Sequence, residues 1–341
     1  MPEMNVHEAA RALREQVESH QRIWVTVHES PDGDSIGAAL ALHGILRARG
    51  KQVVAIRQHP FPSQYESLPG AAAMADVRRL DEPPEPQVVI AVDVGSFQRI
   101  GGVLDRVRPE TVVINIDHHA GNGGPERPCR LLNLVDPGFA STTMLTYVLA
   151  QEAWPGCVDS ETARCLYVGL ITDTGCFRFS NTDEEALRVG SELAALGADP
   201  GALAEKYMFR RRPQALQLLA EVLASIEFHA EGRFATLRLT ADMLRRTSAR
   251  MDETEGFVNY ATSLDGVHAA ALFREVQPRL TRVSLRSSGL VDVARLAREF
   301  GGGGHMNAAG LTVEAALERA CEVVVQAAQR HLSAGRPAEG A

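Results

Sequence analysis

The chain has 341 residues, 45% hydrophobic and 23% charged, with 43 acidic against 35 basic side chains and a formal charge of -8. That composition suits a folded globular protein with room for two domains and excludes disorder, collagen-like repeats and coiled coil. No apolar run approaches the roughly 18 residues of a membrane span, the N-terminal stretch is charged and helix-patterned rather than a signal peptide, and the five cysteines form no C-x-x-C pair, which suits a reducing cytoplasm.

In chain order, Ile23–His28 reads as a buried strand and Ser35–Arg49 as an amphipathic helix ending at Gly50. Strands are predicted at Lys51–Arg57, Val88–Val94 and Thr111–Ile116, then helices at Ser141–Trp154, Ser160–Ile171 and Asp183–Leu196. This alternation predicts an α/β fold with a doubly wound, mostly parallel sheet, whose ligands sit beyond the carboxyl ends of the strands. Residues 197–225 read as a helical connector punctuated by Pro200 and Pro213. A second, smaller α/β set follows, with strands at 233–239, 267–274 and 281–286, a helix at 291–299, a glycine run, and a helix at 314–331. The tail at 333–341 is expected to be disordered. Residues 1–190 hold 25 acids and 17 bases, whereas 191–341 hold 18 of each, so the whole acidic excess lies in the first part.

The polar residues gather at the predicted strand ends. Strand one runs into His28-Glu29-Ser30-Pro31-Asp32-Gly33-Asp34, where Pro31 and Gly33 shape a turn that can aim both carboxylates at one point. Taken alone, Asp32 and Asp34 serve equally well as a turn and helix N-cap. Strand three ends in Asp93 after five apolar residues, strand four in Asp117-His118-His119, and Asp173 follows the apolar end of a helix. Buried carboxylates are costly unless paired or bound to a cation. Carboxylates with imidazoles suit Mn²⁺, Mg²⁺ or Fe²⁺ better than a thiolate-type zinc site. Their number suits two ions about 3.5–4 Å apart on a shared carboxylate, a pairing that activates water against phosphorus.

HESPDGDSIGAAL, AVDVG, NIDHHAGN and LITDTGCFRF, in this order, resemble motifs I to IV of the DHH phosphoesterases. RVSLRSSG and FGGGGHMNAAG resemble the DHHA1 domain that accompanies them. The resemblance covers roughly residues 20–330 and is similar to the stand-alone nanoRNase/pAp-phosphatase branch. It implies a DHH catalytic domain over 1–196, the connector over 197–225 and a DHHA1 substrate-binding domain over 226–332. It implies one ion on His28, Asp32 and Asp93, and a second on Asp34, Asp93, His118 and Asp173, most often Mn²⁺. His119 is expected to contact the scissile phosphate, and Asp117 either orients the histidines or ligates directly.

In the second half, Arg286 ends a strand where a guanidinium can clamp phosphate, and Ser287 follows it. Gly302, Gly303 and Gly304 let backbone approach a ligand closely, and His305 can donate to a phosphate oxygen. Ser141-Thr142 read as a helix cap, and Phe177 and Phe179 as core residues, one of which can line a cleft. The function these features imply is cleavage of oligoribonucleotides of two to five residues to mononucleotides, and of 3′-phosphoadenosine 5′-phosphate to AMP, in the cytoplasm. The alternative is a cyclic di-AMP or linear dinucleotide phosphodiesterase. From another class, a nucleotide-binding sensor without turnover would need a lost ligand, and none is missing. Homodimerisation is left open.

Overall fold

A computed structural model describes residues 5–59, 61–81, 83–119 and 129–334, without the side chains of His305, Ser333 and Ala334. Positions 120–122 of the NIDHHAGN motif and 335–341 of the expected tail lie outside the described residues. The chain forms two compact units, Met1–Arg210 and Arg211–Ala341.

The first unit has strands β1 (Arg22–Thr26), β2 (Gln52–Arg57), β3 (Ala75–Asp76), β4 (Val88–Val92), β5 (Val112–Asp117) and β6 (Arg130–Val135). Its helices are α1 (Val6–Ser19), α2 (Gly33–Ala48), α3 (Thr142–Ala153), α4 (Ser160–Asp173), α5 (Glu184–Ala195) and α6 (Pro200–Ala204). All strand pairs are parallel, in the order β3-β2-β1-β4-β5-β6, the doubly wound arrangement expected. The run Val-Val-Ile-Ala-Val of β4 is buried throughout because both faces of the sheet are covered. Val88, Ile90 and Val92 pack with Ile36, Leu145 and Leu166 from α2, α3 and α4. Val89 and Ala91 pack on the other side with Trp24, Phe97 and Ile100. The strand order reverses between β1 and β4, so the carboxyl ends of β1, β4 and β5 flank one crevice.

Glycines let the helices behind that crevice approach closely. A Cβ on Gly37 of α2 would lie 2.4 Å from the Cys165 carbonyl oxygen of α4, which is rigid backbone. Gly37→Ala is therefore expected to push α2 and α4 apart, costing about 2 kcal/mol or more and lowering the melting temperature by roughly 6 °C. Thermal unfolding followed by circular dichroism checks this, and an unchanged melting temperature would contradict the close crossing.

The second unit contains α7 (Pro213–Ala224), β7 (Glu227–His229), β8 (Phe234–Leu239), α8 (Ala241–Thr247), α9 (Phe257–Thr262), β9 (Ala269–Gln277) and β10 (Leu280–Ser287). It continues through α10 (Val293–Arg298), β11 (Gly303–His305), β12 (Ala308–Val313) and α11 (Leu317–Ala334). Its sheet has the order β11-β12-β10-β9-β8-β7 and is antiparallel except for the β8–β9 pair. Phe273, Val283 and Leu285 pack on α10 and α11, while Ala270 and Leu272 face Leu218 and Phe257 on the other side. Among the described residues no helix is long and apolar enough to cross a membrane.

Candidate metal centre

The site is assembled from chain segments that leave the sheet at its carboxyl edge. Asp32 caps α2: its Oδ1 accepts from the Asp34 and Ser35 amides at 3.1 and 3.0 Å. The N-cap reading of Asp32 thus holds, and the residue also stands beside His28 and Asp93. Asp93 follows β4 with φ 57, a left-handed conformation that Asp tolerates better than most residues. Its amide still donates to the Ile116 carbonyl of β5 at 3.0 Å, so the carboxylate is held against the histidines that end that strand.

Among the described residues three overlapping constellations result, one of them Asp93 with His118 and His119. His28, Asp32 and Asp93 bring ligand atoms within 4.8 Å of one another, and so do Asp34, His118 and Asp173. His118 Nε2 lies 3.0 Å from Asp173 Oδ2, 3.8 Å from Asp93 Oδ1 and 4.0 Å from Asp34 Oδ2. Asp93 Oδ2 lies 3.6 Å from His28 Nε2, so this one carboxylate reaches histidines of both groups. His119 joins through Nδ1, at 3.3 Å from Asp93 Oδ1 and 2.6 Å from Asp117 Oδ1. Asp117 also accepts from the His119 amide at 2.9 Å and the Gly95 amide at 2.8 Å, so it orients the His119 ring and the turn after β4.

Other residues support this arrangement, among them Thr143 and Arg99, which no sequence motif marks, and Thr142, which reads in sequence only as part of a helix cap. Thr142 and Thr143 at the start of α3 donate their amides to Asp34 Oδ2 and Oδ1 at 2.7 and 2.9 Å, and Thr143 Oγ1 adds a bond of 2.6 Å. Thr142 Oγ1 donates to Asp93 Oδ1 at 3.0 Å. Ser141 alone caps α3, by accepting from the Met144 amide at 3.0 Å. The His28 ring is held at Nδ1, 2.8 Å from the Glu29 carbonyl and 2.7 Å from Arg99 Nη2. Phe177 packs against the apolar core, whereas Phe179 is half exposed beneath the Arg178 guanidinium.

Electrostatics favour a cation here. Asp34, Asp93 and Asp173 pair with histidines only, among the described residues. Burial and the charges of Asp173 and Asp93 push the Asp34 carboxyl well above its ordinary range. Burial likewise raises Asp173, despite its bond to His118. Burial opposes a charged Asp93, yet the His119, His28 and His118 rings hold it well below the usual range. Burial alone would depress the imidazoles, but the facing carboxylates, Asp173 first for His118 and Asp93 first for His119, raise them to about 10 and about 11. Among the protein groups alone the crowding is thus relieved by held protons. An all oxygen-and-nitrogen donor set with surplus carboxylates fits hard or borderline divalent cations, which would take the protons' place.

The sign of the pH dependence follows. With His118 and His119 raised from 6.5 to about 10 and about 11, and the Asp34 and Asp173 carboxyls shifted in the same direction, this cluster binds more protons in the folded chain than in the unfolded one between about pH 6.5 and about pH 11. The stability that the histidines contribute is complete below 6.5 and lost as pH rises through 10 to 11. Chelated protein should therefore melt lower at pH 9 than at pH 6, and Mn²⁺ should shrink the difference. A melting temperature of chelated protein that rises over this span would contradict the cluster.

In the second unit Arg286 is half-buried near the end of β10, and its Nη1 donates to the Leu285 carbonyl at 3.0 Å. The Ser287 hydroxyl braces a turn, accepting from the Gly289 and Val291 amides at 3.1 and 3.2 Å. The glycine run is not the free loop its composition suggests, because Gly303–His305 pairs with β12. Gly302 and Gly304 are needed for that pairing: a Cβ would lie 2.3 Å from the Gly310 carbonyl oxygen and 2.4 Å from that of Ala308. Gly301 and Gly303 face open space. The His305 side chain lies outside the described residues.

Comparison with known proteins adds independent findings. The model of the DHH family, N-terminal domain, matches residues 22–170, and that of the DHHA1 domain matches 232–331. The chain is 31% identical, over 97% of its own length and 97% of the relative's, to the bifunctional oligoribonuclease and PAP phosphatase NrnA of Thermus thermophilus. It is 27% identical to the protein of the same name from Bacillus subtilis, over 84% of this chain and 87% of that one. A crystal structure of an exopolyphosphatase-related protein from Bacteroides fragilis superposes with a TM-score of 0.86 at 29% identity, covering 97% of this chain and 98% of the other.

Proposed function

This chain belongs to the DHH family and carries a DHHA1 domain, and we propose that it is a two-cation phosphoesterase for very short oligoribonucleotides and for 3′-phosphoadenosine 5′-phosphate. As a DHH phosphoesterase it is a metal-dependent hydrolase. The observation that carries the two-cation reading is Asp93, whose two oxygens reach the histidines of two separate ligand groups. One ion belongs on His28, Asp32 and Asp93 and the other on Asp34, Asp93, His118 and Asp173, with Mn²⁺ preferred over Mg²⁺ or Fe²⁺. When bound, the cations supply Lewis acidity and charge neutralisation for attack on phosphorus.

The chain's own residues do the rest. Thr142 and Thr143 fix both oxygens of Asp34, so its orientation is set before any ligand arrives. Asp117 holds His119 by Nδ1, which leaves Nε2 to meet a phosphate oxygen. Arg286, with the backbone at Gly302, Gly303 and Gly304 and His305, is assigned to substrate phosphate; Ser287 supports that turn rather than reaching out. We place catalysis in 1–196 and substrate binding in 226–332, joined by 197–225, in a cytoplasmic enzyme. The closeness to the two relatives named bifunctional oligoribonuclease and PAP phosphatase, over nearly their whole lengths, supports this substrate class over a cyclic dinucleotide.

Incubation with Mn²⁺ and labelled RNAs of two, five and twenty-four nucleotides, beside the bisphosphate nucleotide, tests the reading. The shortest RNAs and the bisphosphate should be consumed first. Preference for the twenty-four-nucleotide RNA would overturn it.

A further inference from the structure

Three arginines of the second unit share one face of its sheet. Arg282 and Arg286 lie on β10 with Ser284 between them, and Arg274 of β9 stands directly opposite Arg282. On the other side of β10, Ser284 stands opposite Gly310 of β12, which stands opposite Gly303 of β11. A row formed by one hydroxyl and two bare backbone positions is therefore flanked by rows that carry guanidinium groups. This face is covered on β9, where Ala270 and Leu272 pack on Leu218 and Phe257, and is open beyond it: Arg282, Gly303 and Gly310 are exposed, and Arg274, Ser284 and Arg286 are half-buried. The opposite face of the same strands sends Val283, Leu285, Ala309 and Leu311 into the core.

Arg274 is the unusual member. Its Nε donates to Thr254 Oγ1 at 3.0 Å and its Nη1 to Ser284 Oγ at 2.8 Å, both neutral oxygens. It forms no ion pair within 4 Å among the described residues; Glu255 is the acid whose charge it feels. Burial pushes its pKa down to about 10, Glu255 opposing and the neighbouring Arg286 and Arg282 adding to the fall. A guanidinium set among like charges and held only by hydroxyls is matched by an incoming anion. The bond to Ser284 draws its head to the Ser284 row, two strand positions, about 7 Å, from the row of Arg286. Ser284 accepts that bond, and its own hydrogen has no acceptor among the described residues.

We propose that Arg274 and Ser284 form a phosphate subsite that takes a substrate phosphate group other than the one being hydrolysed, and so select substrates that carry a terminal phosphate. The proposal rests on the short-oligonucleotide reading above and deepens it, by adding a second anion position to that of Arg286.

The test compares the dinucleotides pApA and ApA, which share the scissile bond and differ only in the terminal phosphate. Binding to full-length, chelator-treated protein is measured by calorimetry, and kcat/KM is measured with Mn²⁺. Wild type should favour pApA by at least about tenfold in both. Arg274→Gln should bring that ratio close to one, Arg274→Lys should keep part of it, and Ser284→Ala should reduce it several-fold. Ser284→Ala serves also where Arg274→Gln fails to fold. Equal binding of the two dinucleotides by wild type, or an equal loss on both in Arg274→Gln, would overturn the subsite. Wild type that cleaves neither dinucleotide would overturn the parent reading instead, and the binding ratio would still decide the subsite.

Discussion

Asp93→Asn is expected to abolish phosphoester hydrolysis, by about a thousandfold or more, in a protein that remains folded. The carboxylate lies 3.6 Å from His28 Nε2, 3.8 Å from His118 Nε2 and 3.3 Å from His119 Nδ1, so it clusters with His28 and Asp32 on one side and with His118 and His119 on the other. An amide keeps its shape and the bond from Thr142 Oγ1 but not its charge. The cations contribute several kcal/mol of transition-state stabilisation, and each 1.36 kcal/mol is about a factor of ten. Asn is the informative substitution because φ is 57 at this position and Asn tolerates left-handed backbone, whereas Ala adds about 1 kcal/mol of strain. Steady-state hydrolysis with Mn²⁺, beside a circular dichroism spectrum, checks it. Activity within tenfold of wild type would remove Asp93 from the centre.

Asp34→Ala carries the largest expected loss of stability. The side chain is fully buried, and its oxygens receive two amides and a hydroxyl from the first turn of α3. Removing it leaves buried donors unmet at about 1–3 kcal/mol each, a total offset in part by relief of repulsion from Asp173 and Asp93. A net loss of about 3 kcal/mol is expected, roughly 10 °C in melting temperature, together with loss of the cation assigned to Asp34, Asp93, His118 and Asp173. Mn²⁺ should raise the melting temperature of wild type more than that of the variant, which keeps only the site on His28, Asp32 and Asp93. A variant stabilised by Mn²⁺ as fully as wild type would show that Asp34 is only a brace for α3.

These effects show which parts of the molecule were legible in sequence. The run before Asp93 could be read because β4 is buried on both faces, so a carboxylate at its end stood out. The same holds for Asp117, which ends β5, and for His118-His119 after it, since every residue of that strand is buried. The edge strand β6 was missed, since Arg130 and Leu131 are exposed and RLLNLV has no period-two pattern. The short helices α8 and α9, of seven and six residues, fall below what periodicity resolves. β11 and β12 are built largely from glycine and alanine, which read as a loop. The bonds from Thr142 and Thr143 to Asp34 span more than a hundred residues, and in sequence Ser141-Thr142 signalled only a cap. Arg274 was invisible for a related reason: only the pairing of β9 with β10 places it beside Ser284. The charge of -8 also changes meaning, because Asp32, Asp34, Asp93 and Asp173 converge where two divalent cations are assigned.

The most direct measurement of that assignment is the number and coupling of Mn²⁺ ions per chain, by calorimetric titration and electron paramagnetic resonance of the full-length protein. Two ions per chain with a spin-coupled spectrum, lost in Asp93→Asn, is the expected result. A single ion, or two that are magnetically independent, would contradict a centre built on one shared carboxylate.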